Sequence, residues 1–218
     1  MQPSGPRWVQ LRFGDELTRE QYLKKQAWRR ALPERCPRHA TSGCGFARHG
    51  TYLRKVPEPV PIARAYCRRG HVTFSFLPDF FASRLPGTLD EVEEAAVALE
   101  TAPSLAEAAE RLRPGDVEDA VTSTSAERWT SRRVALFATV LLAVVGLFPD
   151  RLTGVTTATE LRARLATRHA LVALRGIAAR FLAVLPPPLG FGPRPRKRTR
   201  RDGGVQQVPG PDPPRPSE

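Results

Sequence analysis

Cys36 to His71, CPRHATSGCGFARHGTYLRKVPEPVPIARAYCRRGH, holds all three cysteines and three of the four histidines of the chain. A tetrahedral zinc ion takes four soft or borderline ligands, and two short clusters brought together across a hairpin can supply them. The first cluster offers Cys36, His39 and Cys44, and the second offers Cys67 and His71. The set preferred from the spacing is Cys36, Cys44, Cys67 and His71, with His39 as the alternative in place of Cys44. Two CxxC pairs would be the sharper signature. Here Cys36 to Cys44 is wide, and Cys67 to His71 is one residue longer than the usual turn. The competing reading makes the cysteines small buried hydrophobes and the histidines surface residues, with no metal.

Working outward, the stretch predicts strands near 49–56 and 62–66 joined by the proline-rich turn Pro57 to Pro61. Val72, Phe74 and Phe76 alternate with Thr73 and Ser75, which predicts a third strand with one buried face. So small a sheet has little core, and a structural zinc would add an apparent ~10–16 kcal/mol to its folding. Seven basic residues against one acidic one lie between Cys36 and His71. Arg48, Arg54, Lys55, Arg64, Arg68 and Arg69 are the expected DNA contacts of this module, with Phe46, Tyr52 and Tyr66 interleaved as base-stacking groups or as core.

The run CPRH, CGFARHGTYLRK, IARAYC and GHVTFSFLPDF, followed by ASRLPGTLDEVEEA and later PPPLGFGPRP, resembles small bacterial proteins associated with insertion sequences and transposases. The resemblance extends from Cys36 to about Pro195. It implies a zinc ribbon ahead of a helix-turn-helix-like region, DNA association, and a transposase or other protein as partner. Where many relatives carry a second CxxC pair, this chain has Gly70 and then His71.

The rest of the chain fits an α+β, mostly α protein. Residues 1–35 read as an irregular lead-in and a short basic helix, opened by the capping box Thr18/Gln21 and stopped by Pro33. Residues 36–87 form the zinc-ribbon-like module, 88–185 a helical domain, and 186–218 a disordered basic tail rich in proline. Thr88/Glu91 and Ser104/Glu107 predict helices from Leu89 to about Glu100 and from Leu105 to Leu112. Residues 88–120 carry ten acidic side chains against two arginines, a surface DNA should repel. A reader helix from about Ser125 would present Arg128, Arg132 and Arg133, although the join from Arg113 to Thr124 is long for a helix-turn-helix. The uncharged run 134–148 falls short of the ~20 residues of a bilayer span and is read as a central core helix. Thr157/Glu160 predicts a helix reaching Leu185, with Leu171, Leu174, Ala178, Phe181 and Leu185 on one stripe and His169 on its surface. In the tail, residues 194–201 pack six cations into eight positions, with Arg196, Lys197 and Arg198 at their centre.

A formal charge of +12 and a pI near 10.8 favour a polyanionic partner. Three cysteines cannot all pair internally, and the first residues hold no apolar run for a secretory signal. A reducing cytoplasm is therefore expected, nucleoid-associated if DNA is bound. No phosphate loop, nucleophile elbow, HExxH pair or His-x-Glu ahead of a cysteine pair is present, so neither catalytic nor organic-cofactor residues are expected. Two functions follow: a zinc-stabilised DNA-binding accessory protein, or a zinc-stabilised adapter between proteins without direct DNA contact.

Overall fold

A computed structural model describes residues 8–39, 43–114 and 120–192. The chain is α+β. Its sheet has strands β1 (Trp8–Phe13), β2 (Phe46–Arg54), β3 (Val60–Cys67) and β4 (Val72–Pro78) in the order β1-β4-β3-β2, with β1 parallel to β4 and the other pairs antiparallel. The hairpin expected around the proline turn is present, with its first strand at 46–54 in place of 49–56 and its second extended to 60–67. The lead-in departs from expectation, because Trp8 to Phe13 is a strand in register with Thr73 to Pro78. Val9, Leu11 and Phe13 alternate as a half-buried strand should, and all three pack on the cysteine-containing core.

The pairing register sorts the sheet into two faces. Val9 pairs with Phe74, which pairs with Ala65; these point to the face holding Cys67, Val72, Phe76 and Phe46. Trp8, Thr73 and Tyr66 pair in the next row, and Gln10, Ser75 and Arg64 in the row after it, so they occupy the opposite face. Both faces of the inner strand β4 are covered along most of its length: Ser75 is fully buried and accepts a 2.8 Å bond from Trp8 Nε1. The one-sided strand expected here is thereby replaced by a central one.

Seven α-helices follow the chain among the described residues: α1 (Arg19–Lys24), α2 (Leu89–Thr101), α3 (Leu105–Leu112), α4 (Ala120–Leu147), α5 (Pro149–Leu152), α6 (Ala158–Leu165) and α7 (Ala170–Ile177). Capping boxes open α1, α2 and α6 where Thr18/Gln21, Thr88/Glu91 and Thr157/Glu160 place them, and Ser104 caps α3. The first helix ends at Lys24, short of the expected Leu32, because Gln26 turns left-handed and a 3-10 turn takes over. The helix expected to reach Leu185 is likewise broken by left-handed Ala166, so α6 and α7 are separate.

The supposed reader helix and the uncharged run are one helix. Along α4 the buried residues Ala126, Thr130, Arg133, Phe137, Val140 and Val144 recur at alternating steps of four and three, a stripe that faces α2 and the rest of the helical core. The other side is open, with Leu142 78 % exposed, so α4 flanks the core and is not surrounded by it. Over 123–147 it is long and apolar enough to cross a membrane, and 33 % of an 18-residue apolar stretch within it is buried in the protein.

The chain does not leave the fold at Pro186. Leu189 and Gly190 are buried, Phe191 packs on the helical core and on the cluster that holds Leu77, Phe80 and Phe81, and Ser83 Oγ donates to the Gly190 carbonyl. Arg175, on α7, clamps this return. Fully buried, it donates to the carbonyls of Leu189 (2.9 Å), Pro188 (2.7 Å), Asp79 (3.0 Å) and Phe81 (2.5 Å), joining the end of β4, the helical body and the C-terminal return. Desolvation pulls its pKa down to about 9, which still leaves the guanidinium charged at neutral pH.

Candidate metal centre

The side chains of Cys36, His39, Cys44 and Cys67 converge, each offering one ligand atom, with all four atoms within 4.8 Å of one another. Cys67 ends β3 on the covered face of the sheet. Cys44 lies just ahead of β2, between Gly43 and Gly45, whose φ values of +89° and +67° let the chain turn sharply on either side of it. The Cys44 carbonyl accepts from Arg69 N at 3.0 Å, fixing the approach to β2 against the turn after β3. Cys36 and His39 share a tight turn, closed by His39 N donating to the Cys36 carbonyl at 3.2 Å.

The separations suit one small cation. With metal–sulfur and metal–nitrogen bonds of ~2.3 and ~2.0 Å, a tetrahedral zinc places sulfur and nitrogen about 3.6 Å apart. His39 Nδ1 is 3.5 Å from Cys36 Sγ and 3.3 Å from Cys67 Sγ. Cys67 is fully buried, Cys44 and Cys36 nearly so, and His39 is half-buried. All three thiols are free. Four protein ligands fill a tetrahedral shell, the arrangement of a structural rather than a catalytic ion.

The electrostatics fit thiolate ligands. Burial raises the pKa of Cys36, but bonds from the backbone N–H groups of Arg38 and His39, and from the neighbouring thiols, outweigh it and leave that pKa lowered. Cys67 is pushed up, first by burial and further by the Cys36 and Cys44 sulfurs, against a 3.3 Å bond from Gly70 N. Two buried sulfurs competing for negative charge are what a divalent cation would relieve.

His71, preferred from spacing, lies outside this group, and His39 takes a place while Cys44 keeps its own. Cys67 and Val72 are direct partners on one face, whereas His71, in the left-handed turn before Val72, is carried to the other face beside Tyr66. There it is exposed, at φ +47°, with Nδ1 3.2 Å from Tyr66 Oη. Gly70 lies within the turn 68–71 that follows Cys67. A Cβ there would lie 3.3 Å from His39 Cε1 and 3.5 Å from Cys67 Sγ, beside the ligand shell. Gly70 has no side chain to offer, and Cys44 supplies the fourth candidate ligand.

The expected DNA contacts divide. Arg68, Arg69, Lys55, Arg128 and Arg132 are exposed. Arg48 is exposed but donates to the carbonyls of Trp28 and Arg29, and Arg64 lies half-buried 6.0 Å over the Tyr52 ring. Two are structural. Arg54 donates to the carbonyls of Ala82, Leu85 and Gly87 and stacks on Phe81, while Arg133, 4 % exposed, stacks 3.5 Å above Trp129 and bonds the Pro86 carbonyl and Glu91. Burial lowers the pKa of both. Arg128 and Arg132 lie eight and twelve residues into α4, about 12 and 18 Å from its start, whereas a reader helix puts its first residues on the bases. Arg196, Lys197 and Arg198 lie outside the described residues.

Sequence reasoning also missed buried Glu93, counted there with the acidic surface. It accepts from Arg162 Nε at 2.5 Å and from Leu171 N at 2.7 Å, pinning α6 and α7 to α2. Its position on the buried stripe of α2, one residue after Val92, was the available signal. No family model matches the chain, and no curated protein or solved structure matches it either.

Proposed function

We propose that the protein is a zinc-stabilised DNA-binding accessory factor, in which the centre formed by Cys36, His39, Cys44 and Cys67 staples a cationic module to a helical body. The observation that supports this is the charge on the two ligand-bearing turns. Arg38, Arg68 and Arg69 are exposed there, and residues 36–39 and 67–71 include no acidic side chain. The Arg38 and Arg68 chains run beside Gly70 and Gly45, so the ion would fix the positions of both cations. Phosphates bind such an array with release of counterions, and affinity then depends steeply on salt. Zinc is favoured among metals by three thiolates and one imidazole in a closed shell. A role beside a transposase rests on the resemblance of the residues alone.

The test is binding of metal-loaded protein to a labelled duplex over a range of salt. Three phosphates neutralised give a slope of log K against log salt of about −2.7, and replacing Arg68 and Arg69 by Ala should bring it close to −1. A folded, metal-loaded protein that binds no duplex at low salt would sink this reading in favour of the adapter.

A further inference from the structure

Away from the metal centre, the opposite face of the sheet carries a second set of groups. Trp8 is 53 % exposed and meets the Tyr52 ring edge-on at 6.2 Å; Tyr66, on the far side of Thr73 from Trp8, has the exposed His49 ring 5.6 Å away. Two strand spacings separate Trp8 from Tyr66, about 10 Å. Beside Trp8 and Tyr52 opens a cleft of about 770 Å³, walled on its other side by residues 84–86. Its charged lining is Arg54, Lys55 and Arg84, with no acidic side chain. That volume falls within the range of small-molecule sites.

The cleft continues into a smaller groove on α4, of about 340 Å³. The two share Val56, Leu85 and Pro86, and the groove adds Arg128 and Arg132, both exposed. Trp8 and Tyr52 therefore stand at one end of the track, and Lys55, Arg84, Arg128 and Arg132 are spaced along the rest among Val56, Leu85 and Pro86. The Arg64 guanidinium lies over Tyr52, and its buried Nε has no hydrogen-bond partner.

We propose that this face binds single-stranded nucleic acid, with unpaired bases stacked on Trp8 and Tyr66 and the backbone led through the cleft past Lys55 and Arg84 to Arg128 and Arg132. The proposal deepens the DNA-binding reading and rests on it. A stacked duplex keeps its base faces covered, whereas every unpaired base offers a π-face to an exposed ring. Charge selects the occupant: a cationic, acid-free channel suits a polyanion, and rings at its end suit one that carries flat apolar groups. A track with exposed cations along its length is poorly suited to an apolar peptide, whose burial would strand the charges.

The experiment compares a labelled oligothymidine of about ten nucleotides with a duplex, using full-length metal-loaded protein, Trp8→Ala, Tyr66→Leu and Arg68→Ala/Arg69→Ala. Circular dichroism and metal content check that each variant is folded. The expected result is a roughly five- to hundredfold loss of single-strand affinity for Trp8→Ala and for Tyr66→Leu, with duplex affinity unchanged. Native tryptophan fluorescence should also be quenched by the single strand, and less so in Trp8→Ala. Arg128→Glu/Arg132→Glu should weaken single-strand binding without altering metal content. If the folded aromatic variants bind the oligothymidine as well as the native protein does, the inference is overturned while salt-sensitive duplex binding still supports the DNA-binding reading. If neither strand form binds the folded protein at low salt, that reading falls and takes the inference with it.

Discussion

Replacing Arg175 by Met should uncouple the two halves of the fold. The methionine chain fills most of the arginine volume, so packing changes little. The carbonyls of Leu189, Pro188, Asp79 and Phe81 lose their donors. A buried acceptor stripped of its partner costs roughly 1–3 kcal/mol, which sums to about 4–12 kcal/mol for four. Against this, the folded protein no longer holds a desolvated charge, a relief of several kcal/mol. The net loss should be about 3–5 kcal/mol, corresponding to a fall in Tm of roughly 10 °C for a protein of this size. Arg175→Lys, which keeps a charge but has only one donor nitrogen, should lie between the two. Urea unfolding followed by circular dichroism and by tryptophan fluorescence measures both the loss and the cooperativity. A loss under about 1 kcal/mol would refute this reasoning, as would separate transitions for sheet and helices in the native protein.

Cys44→Ser should abolish stoichiometric metal binding, and the double variant Cys44→Ser/Gly70→Cys should restore it, because a Cβ at Gly70 falls beside Cys67 and His39; metal analysis after gel filtration decides. His71→Ala should leave metal content unchanged, the opposite of what the spacing alone suggested. Glu160 accepts from Thr156 and Thr157, and these bonds lower its pKa from the ordinary 4.5. Its contribution is therefore complete above about pH 4.5 and lost as the pH falls through the lowered value. Glu160→Gln should flatten that part of the acid limb in a series of unfolding curves and leave the pH dependence near neutrality unchanged. Gly190→Ala should destabilise strongly, since its Cβ would overlap the carbonyl and side chain of Leu185; a Tm within a degree of native would show that the C-terminal return is not packed as described.

What could be read from sequence was local. Capping boxes marked the starts of α2 and α6, and Ser104 that of α3, because a cap is a contact between residues three apart. Alternation revealed Val72 to Phe76. The same alternation ran through Val9, Leu11 and Phe13 but was passed over, being short and set among prolines and glycines. The cysteines were legible as candidate ligands by type, yet that His39 joins all three and His71 lies apart depends on how the turns after Cys36 and Cys67 fold, which spacing does not report. Arginines were the least legible. Arg54, Arg133 and Arg175 look like any basic residue in the chain, and their partners are carbonyls 28, 47 and up to 97 positions away. Nothing in a linear pattern reports such a carbonyl. The return of residues 186–192 was hidden for a related reason: three prolines end a helix, but whether the chain then leaves the fold depends on a pocket formed by distant segments.

The central claim is that Cys36, His39, Cys44 and Cys67 hold one divalent ion that organises the sheet. Its most direct test is metal analysis of purified protein combined with thiol alkylation before and after chelation. The expected result is one zinc per chain, three thiols protected until the chelator is added, and loss of the sheet's circular dichroism once it is. Metal-free protein whose thiols react only on denaturation, and whose spectrum ignores the chelator, would show instead that these cysteines are ordinary core residues.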